Sequence, residues 1–274
     1  GKTMSEEIRP DEIAKKTVVY EMPGTDRVTI SRDIPYRTTD AGDLTMDIYY
    51  PPDSKSGVRT PAIVFVTGYP DSGMEKMLGC KFKEMGAYTS WARLTAASGM
   101  AAITYTNREP AADILAVLQY VRQNADGLGI DENRIGLWAC SGNVPNALSA
   151  LIEEGGDYLK CAVLCYGMML DLDESTSVMD AARQWGFVNP SAGKSVADLP
   201  KDVPLFIARA GRDQMPHLNE TIDRFMIKAL SCNLPITFVN HPSAPHAFDL
   251  FDPSETTREI IRRILAFMQF HLSS

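Results

Sequence analysis

The stretch RIGLWACSGNVPNAL, residues 134–148, joins a strand-like run to a helix-like run through a short turn. The mostly apolar run RIGLWA is typical of a buried strand, and NAL begins a longer amphipathic stretch that is typical of a helix. Two adjacent nucleophilic side chains, Cys140 and Ser141, lie at the turn between them. A sharp strand-turn-helix connection can expose such a side chain at the edge of a sheet, so this stretch raises the question of which residue reacts.

The neighbours of the two side chains favour Ser141. A tight turn of this kind needs small residues two positions before and after the nucleophile. Ser141 has Ala139 before it, whereas Cys140 would have Trp138, whose indole would crowd the turn. A thiol is intrinsically the stronger nucleophile, so Cys140 stays open as the alternative.

Apolar strand-like runs alternate with amphipathic helix-like runs on both sides of this stretch. The strand-like runs are TVVYEM (17–22), RVTISRDIPYR, LTMDIYYPP, PAIVFVTG, MAAITYT, RIGLWA, KCAVLCYG, PLFIARAG and PITFVNH. The helix-like runs are about 5–16, SWARLTAASG, AADILAVLQYVRQNAD, NALSALIEEGG, NETIDRFMIKALSC and about 254–272. This alternation predicts an α/β fold with a mostly parallel central sheet of about eight strands, an antiparallel N-terminal edge and helices on both faces.

The pattern predicts one large domain preceded by an extension. We expect residues 1–27 to form a helical and strand extension and residues 28–274 to form the main domain. Two long irregular connections, 70–89 and 171–200, are places where active-site loops or a small cap can sit.

Three reactive residues follow apolar runs in the order Ser, Asp, His. Ser141 follows RIGLWAC, Asp213 follows PLFIARAGR and His246 follows ITFVNHPSAP. Sites in parallel α/β sheets form at the carboxyl ends of the strands, where these residues would meet.

That order, with each member at a strand end, resembles the α/β-hydrolase superfamily, most closely the branch of dienelactone hydrolases, acetyl xylan esterases and related carboxylesterases. The resemblance covers the chain from about residue 28 and rests on the motifs VFVTGYPD, RIGLWACSGN, ARAGRDQ and PSAPHAFD. It implies an α/β-hydrolase fold and a catalytic triad of Ser141, His246 and Asp213. Some dienelactone hydrolases use cysteine, which keeps Cys140 in consideration. Asp171 and Asp173 are rival acids, while Asp249 and Asp252 lie too close to His246 along the chain.

The resemblance also implies an oxyanion hole of two backbone amides. Gly142, directly after the nucleophile, supplies one, and Tyr69 in VFVTGYPD supplies the other. The sequence departs from the usual GxSxG pattern at Asn143, which stands where the final glycine is expected. Asparagine tolerates unusual backbone angles better than most residues, so we interpret the motif as a variant elbow.

Several further side chains are candidates for the substrate pocket, and each has an ordinary structural alternative. His217 could line the pocket or be a solvated loop residue, and the Tyr69 ring could shape the pocket or pack over its loop. Apolar walls could come from the segment around Met74, Met77 and Met85 and from Trp185 with Phe187. The residues singled out as substrate-pocket candidates are Cys140, Asn143, His217 and Trp185.

Composition excludes several other classes of function. The net charge of -8 and the pI near 5.1 argue against nucleic acid and anionic membranes as partners. Five cysteines without paired motifs argue against a disulfide framework and a structural zinc site. No metal and no cofactor are expected, because the chemistry of the implied triad needs neither. No apolar run is long enough to span a membrane. We expect a soluble, cytoplasmic protein, with secretion after signal removal left open and the oligomeric state unknown.

The expected function is hydrolysis of carboxylic esters of small molecules by a serine hydrolase, through an acyl-enzyme intermediate. Lactone hydrolysis of the dienelactone type is an alternative, and acidic substrates there would need an arginine in the pocket. A prolyl-oligopeptidase-like peptidase is a second alternative, although that family adds a large propeller that the short segment before residue 28 cannot build. A binding protein that kept the fold and lost turnover is the alternative of another class.

Overall fold

A computed structural model of the chain describes residues 9–273. The strands are β1 (Thr29–Thr39), β2 (Gly42–Tyr50), β3 (Thr60–Phe65), β4 (Ala101–Tyr105), β5 (Ile130–Cys140), β6 (Leu159–Cys165), β7 (Leu205–Ala210) and β8 (Ile236–His241). The α-helices are α1 (Pro10–Lys15), α2 (Asp71–Leu78), α3 (Gly86–Ala97), α4 (Pro110–Gln123), α5 (Ala125–Leu128), α6 (Val144–Glu154), α7 (Ser177–Trp185), α8 (Leu218–Ser231), α9 (Phe248–Phe251) and α10 (Glu255–Leu272).

The eight strands form one sheet in the order β1-β2-β4-β3-β5-β6-β7-β8. β1 pairs antiparallel with β2, and β2 pairs antiparallel with β4. From β4 across to β8 every pairing is parallel. The predicted fold class is therefore confirmed, including the antiparallel N-terminal edge.

Alternate residues of each central strand point to opposite faces of the sheet, and helices cover both faces to form two cores. In β3, Val64 packs in the core beneath α4, α6 and α8, whereas Ile63 and Phe65 pack in the core beneath α3 and α10. Both cores consist of buried aliphatic and aromatic side chains, and Trp91 of α3 is among the largest that are fully buried. The sheet is thus a rigid frame whose strand ends can hold side chains in fixed positions.

The prediction of a strand at 17–22 is wrong. This segment is extended but pairs with no strand of the sheet. The amide of Val18 donates to Ser90 Oγ at 3.0 Å and the amide of Val19 donates to the Asp249 carbonyl at 2.9 Å. These backbone hydrogen bonds anchor the segment to α3 and α9. The predicted N-terminal helix is observed only as α1, and the part before residue 9 lies outside the described residues.

The two connections predicted to be irregular contain helices. Residues 70–89 hold α2, a 3-10 turn at Phe82–Glu84 and the start of α3. Residues 171–200 hold α7 and a 3-10 turn at Val196–Asp198. These helices are short, and the polar and glycine residues in both segments obscure their amphipathic pattern in the sequence. None of the helices in residues 9–273 is both long and apolar enough to cross a membrane.

Candidate active site

The stretch 134–148 forms a sharp elbow at the carboxyl end of β5. Cys140 closes the strand in an extended conformation with φ −136°, and Ser141 then takes a left-handed conformation with φ 54°. A 3-10 turn over Ser141–Asn143 leads directly into α6. A non-glycine residue with positive φ is uncommon and carries local strain. At Ser141 this conformation turns the chain sharply and directs the serine side chain away from the strand.

Ser141, His246 and Asp213 form a continuous hydrogen-bonded relay. Ser141 Oγ lies 2.9 Å from His246 Nε2, and His246 Nδ1 lies 2.6 Å from Asp213 Oδ2. The Asp213 side chain is fully buried, whereas 28% of the His246 side chain is exposed. The structure therefore brings the three residues of the predicted triad together at the carboxyl ends of β5, β7 and β8.

Backbone contacts between two loops set the distance between acid and imidazole. The Gly211 amide donates to the His241 carbonyl at 2.8 Å, and the Arg212 amide donates to the Ala244 carbonyl at 2.9 Å. A Cβ on Gly211 would lie 2.5 Å from the Pro242 carbonyl oxygen, so only glycine permits this approach. The second oxygen of Asp213 accepts from the Met215 amide at 2.9 Å, which fixes the rotation of the carboxylate.

The two predicted oxyanion donors, the amides of Gly142 and Tyr69, belong to two loops that pack closely against each other. Gly68 approaches the elbow so closely that a Cβ there would lie 3.1 Å from Gly142 O and from Asn143 Cα. Within residues 9–273 the amide of Tyr69 has no hydrogen-bond partner. The amide of Gly142 lies at the start of a 3-10 turn, where amides lack partners inside the turn. Both amides are thus available to an external oxygen.

Asn143 fills the place of the expected glycine without distorting the elbow. Its φ of −82° is ordinary helical backbone, so no glycine is required there. The side-chain Oδ1 accepts from the Gly68 amide at 2.7 Å, and Nδ2 donates to the Cys140 carbonyl at 3.0 Å. The departure from the usual motif therefore links the elbow to the loop that carries Tyr69.

Cys140 is adjacent to Ser141, but no imidazole or carboxylate of residues 9–273 is hydrogen-bonded to its sulfur. Its sulfur lies 3.9 Å from the Tyr88 hydroxyl and 3.8 Å from Asn143 Nδ2. Burial raises the pKa of the Cys140 thiol to about 12, helped by the nearby Asp249 carboxylate. The thiol therefore stays protonated at neutral pH, when a thiolate is the reactive form.

The rival acids and the other histidines have different partners. Asp171 accepts from the amides of Val178 and Met179 at the start of α7, and Asp252 pairs with His241 at 2.8 Å. His217 is 62% exposed and lies 3.2 Å from Glu220. His217 does not line the cavity beside Ser141, so the structure shows the second of its two predicted alternatives, a solvated residue in the left-handed conformation just before α8.

An apolar cavity of about 290 Å³ opens beside Ser141. Its walls include the predicted candidates Cys140, Asn143 and Trp185, together with Tyr69. All three methionines singled out in the sequence also line it: Met74, Met77 and Met85. Phe187 packs instead against the Tyr69 ring, with centroids 5.6 Å apart, over the elbow.

The side chain of Tyr69 also contributes to the site, in addition to its backbone amide. A Cβ on Gly142 would collide with the Tyr69 hydroxyl and lie 2.7 Å from Phe187 Cδ1. The phenol therefore covers the elbow beside the nucleophile, and Gly142 has to be glycine for steric reasons. Burial raises the pKa of this phenol, with a further contribution from Cys140, so the hydroxyl stays neutral.

Asp249 is a buried residue of the cavity wall that the sequence did not predict. Asp249 lines the cavity, where Oδ2 accepts from Trp91 Nε1 at 2.8 Å and Oδ1 accepts from the Tyr166 hydroxyl at 2.7 Å. The Tyr166 ring in turn lies edge-on to His246, with centroids 4.9 Å apart. Burial raises the pKa of the Asp249 carboxyl, although both donors and His246 act to lower it. Its position three residues after His246 is the available signal in the sequence, and that closeness also argues against Asp249 as the acid of the triad.

No cluster of three metal-ligating side chains exists within the described part of the chain. The polar groups that converge are instead the hydroxyl, imidazole, carboxylate and two amides described above. Chemically, this arrangement can deprotonate a hydroxyl, hold a developing oxyanion and accommodate an apolar group beside the reacting atom.

The sequence itself has no match among protein-family models or curated proteins. Solved structures do match over nearly the whole chain. An esterase from Thermogutta terrifontis, solved with propionate bound, is 20% identical with a TM-score of 0.65, over 92% of this chain and 98% of that one. An α/β hydrolase from the metagenome of Lake Arreo, Spain, is 18% identical with a TM-score of 0.67, over 92% and 87% of the two chains.

A bacterial heroin esterase is a further structural neighbour. It is 15% identical with a TM-score of 0.66, over 93% of this chain and 88% of that one. At such low identities, the TM-scores and coverages show a shared fold and leave the activity open. Together with the sheet order and the elbow, they show that this chain has the α/β-hydrolase fold.

Proposed function

We propose that the protein is a serine hydrolase that cleaves carboxylic esters of small molecules through an acyl-enzyme. The observation that carries this proposal is the relay from Ser141 Oγ through His246 to Asp213, at 2.9 and 2.6 Å. Hydroxyl, imidazole and carboxylate in this order form an activated nucleophile. The structural neighbours named as esterases support the same reaction class.

The acylation half begins when Ser141 Oγ attacks the ester carbonyl carbon. His246 Nε2 takes the hydroxyl proton, and Asp213 holds Nδ1 and stabilises the imidazolium. The carbonyl oxygen becomes an oxyanion that accepts hydrogen bonds from the amides of Gly142 and Tyr69. His246 then gives its proton to the alcohol oxygen as the carbon–oxygen bond of the ester breaks, which leaves the acyl group on Ser141.

The deacylation half repeats these steps with water. His246 Nε2 takes a proton from water while the water oxygen attacks the acyl carbon, and the same two amides hold the oxyanion. Collapse of this intermediate breaks the bond to Ser141 Oγ, which recovers its proton from His246. The carboxylic acid leaves and the site returns to its starting state.

The charge of the cavity walls argues against the alternative of an acidic lactone as substrate. Of the described residues that line it, none is lysine or arginine. Arg108 donates to the carbonyls of Ala41 and Gly42, and Arg209 pairs with Asp223, so both are engaged elsewhere. An acidic lactone seated in this cavity would therefore meet no lysine or arginine on the described walls, which favours neutral esters as substrates.

The decisive experiment compares Ser141→Ala with Cys140→Ala on small acetate esters. We expect Ser141→Ala to lose activity by about 10³-fold or more while Cys140→Ala keeps most of it. A fluorophosphonate should form a covalent adduct that mass spectrometry locates at Ser141. The Thermogutta esterase has been solved phosphorylated by paraoxon, which supports the choice of this reagent class.

The alternatives give different results in the same experiment. Loss of activity in Cys140→Ala alone would move the nucleophile to the thiol. A folded protein that neither hydrolyses any ester nor accepts the label would be a binding protein with this fold. Equal melting temperatures of the two variants serve as the control for folding.

A further inference from the structure

The cavity beside Ser141 has a volume that limits what can enter it. Engineered apolar cavities of about 150 Å³ bind benzene, which has six heavy atoms. By that measure the 290 Å³ here accommodates about twelve heavy atoms. The deep wall is formed by Trp91 and Trp138, both almost fully buried, while Met77 and Trp185 stand half exposed at the mouth.

The cavity is apolar and lacks a counter-charge for an anion. Asp249 is the carboxyl group on its wall, and both of its oxygens are occupied by Trp91 and Tyr166. With no lysine or arginine among the described lining residues, a buried carboxylate of a substrate would meet another carboxyl group and no cation. Burial of an unpaired anion is costly, so the cavity selects against it.

The outer wall is completed by the segment before the sheet. Ile13 of α1 lines the cavity. The chain just after it crosses α3 so closely that a Cβ on Gly86 would lie 2.5 Å from the Lys15 carbonyl oxygen. The hydrogen bonds of Val18 to Ser90 and of Val19 to the Asp249 carbonyl then hold this segment on two walls of the same cavity.

We propose that one side of the substrate ester is an aromatic or aliphatic group of up to about twelve heavy atoms without negative charge, seated in this cavity. We propose also that Ile13 limits the size of that group. This inference rests on the proposed ester hydrolysis at Ser141. It deepens that proposal by naming the class of substrate and the residue that sets its upper size.

Two series of unbranched esters test the size of the group with the full chain. One holds the alcohol as methanol and lengthens the acid from acetate to hexadecanoate, and the other holds the acid as acetate and lengthens the alcohol from methanol to hexadecanol. In one series kcat/KM should rise about fourfold per methylene, the value of burying one such group, and then stop rising near twelve heavy atoms. A flat or falling kcat/KM in both series would overturn the inference.

A matched pair tests the charge. If the acid series shows the rise, methyl heptanoate is compared with monomethyl adipate, which is of similar length and ends in a carboxylate. If the alcohol series shows the rise, hexyl acetate is compared with the acetate ester of 5-hydroxypentanoate. The neutral member should have a kcat/KM at least tenfold higher, and equal values would contradict the proposed selectivity.

Variants of Ile13 test the size limit. Ile13→Ala should move the best chain length upward by two or three carbons, and Ile13→Phe should move it downward. Ile227→Ala, at a side chain 73% exposed on α8, is the control and should leave the optimum unchanged. An optimum that stays fixed in both Ile13 variants would show that Ile13 does not form the wall.

The outcomes separate this inference from the proposed function. Hydrolysis of acetates with Ser141 labelled by fluorophosphonate, but without dependence on the apolar group, would reject the substrate class and keep the hydrolase. Absence of both hydrolysis and labelling would reject the hydrolase itself.

Discussion

Asn143 Oδ1 accepts a hydrogen bond from the Gly68 amide at 2.7 Å, which joins the nucleophile elbow to the loop that carries Tyr69. Both groups are buried, and Asn143 is only 3% exposed. The side chain that replaces the usual glycine therefore holds the two proposed oxyanion donors at a fixed separation. A glycine at this position would leave the Gly68 amide without this partner.

Asn143→Ala should lower kcat by about tenfold or more, because small displacements of positioned groups reduce rates strongly. It should also lower the free energy of unfolding by about 1–3 kcal/mol, since the buried Gly68 amide loses its acceptor. Steady-state kinetics on a short ester and denaturant unfolding measure the two effects. Asn124→Ala, at an exposed helix end, is the matched control. A kcat within twofold of wild type would show that the link does not matter.

Gly211→Ala should reduce activity more than stability. The added Cβ would lie 2.5 Å from the Pro242 carbonyl oxygen and would separate the Asp213 loop from the His246 loop. A longer bond between His246 and Asp213 weakens support for the imidazolium, so we expect kcat to fall by about tenfold to a hundredfold. Gly127→Ala is the control, because a Cβ there meets nothing within 4 Å. Equal kinetics of the two variants would contradict this role of Gly211.

The meeting of Ser141, Asp213 and His246 could be predicted because a parallel sheet brings all its carboxyl strand ends to one edge. Apolar runs mark the strands, and the residue after each run then falls at that edge. Gly142 and Tyr69 are implied by the resemblance to the α/β-hydrolases, and they follow the neighbouring strands β5 and β3. Their catalytic roles stay predictions until kinetics or labelling test them.

The contacts of Asp249, Val18 and His217 could not be predicted, because each depends on tertiary packing between distant segments. Asp249 is buried by α3 and by the residue that follows β6, which no local pattern reveals. Val18 lies in a β-branched run whose amide pairs with a serine side chain instead of a strand. His217 follows Asp213 by four residues, yet a left-handed turn directs it to solvent.

Iodoacetamide at pH 7 should leave esterase activity intact even though Cys140 is next to the proposed nucleophile. Burial raises the pKa of this thiol to about 12, so at pH 7 it is almost entirely protonated and unreactive. Residual activity against time, with peptide mapping of the alkylated cysteines, checks this. Rapid inactivation that Cys140→Ala abolishes would show that the thiol is ionised and accessible.

Asp249→Asn should change how stability depends on pH. Burial raises the pKa of the Asp249 carboxyl in the folded state above its ordinary value. Between the unfolded pKa, near 4, and the raised folded pKa, the folded state binds more protons than the unfolded state. The free energy of unfolding of the wild type therefore falls as pH rises through this window, and it levels off above the folded pKa.

The asparagine variant cannot titrate at this position, so it lacks that contribution to the slope. The advantage of the wild type over Asp249→Asn should be largest near pH 4 and should shrink as pH rises. Denaturant unfolding of both proteins from pH 4 to pH 8 measures the difference, and Asp173→Asn, at an exposed loop carboxylate, serves as the control. Parallel stability profiles for wild type and Asp249→Asn would mean that Trp91 and Tyr166 hold the carboxylate ionised, because two donated hydrogen bonds would then outweigh its burial.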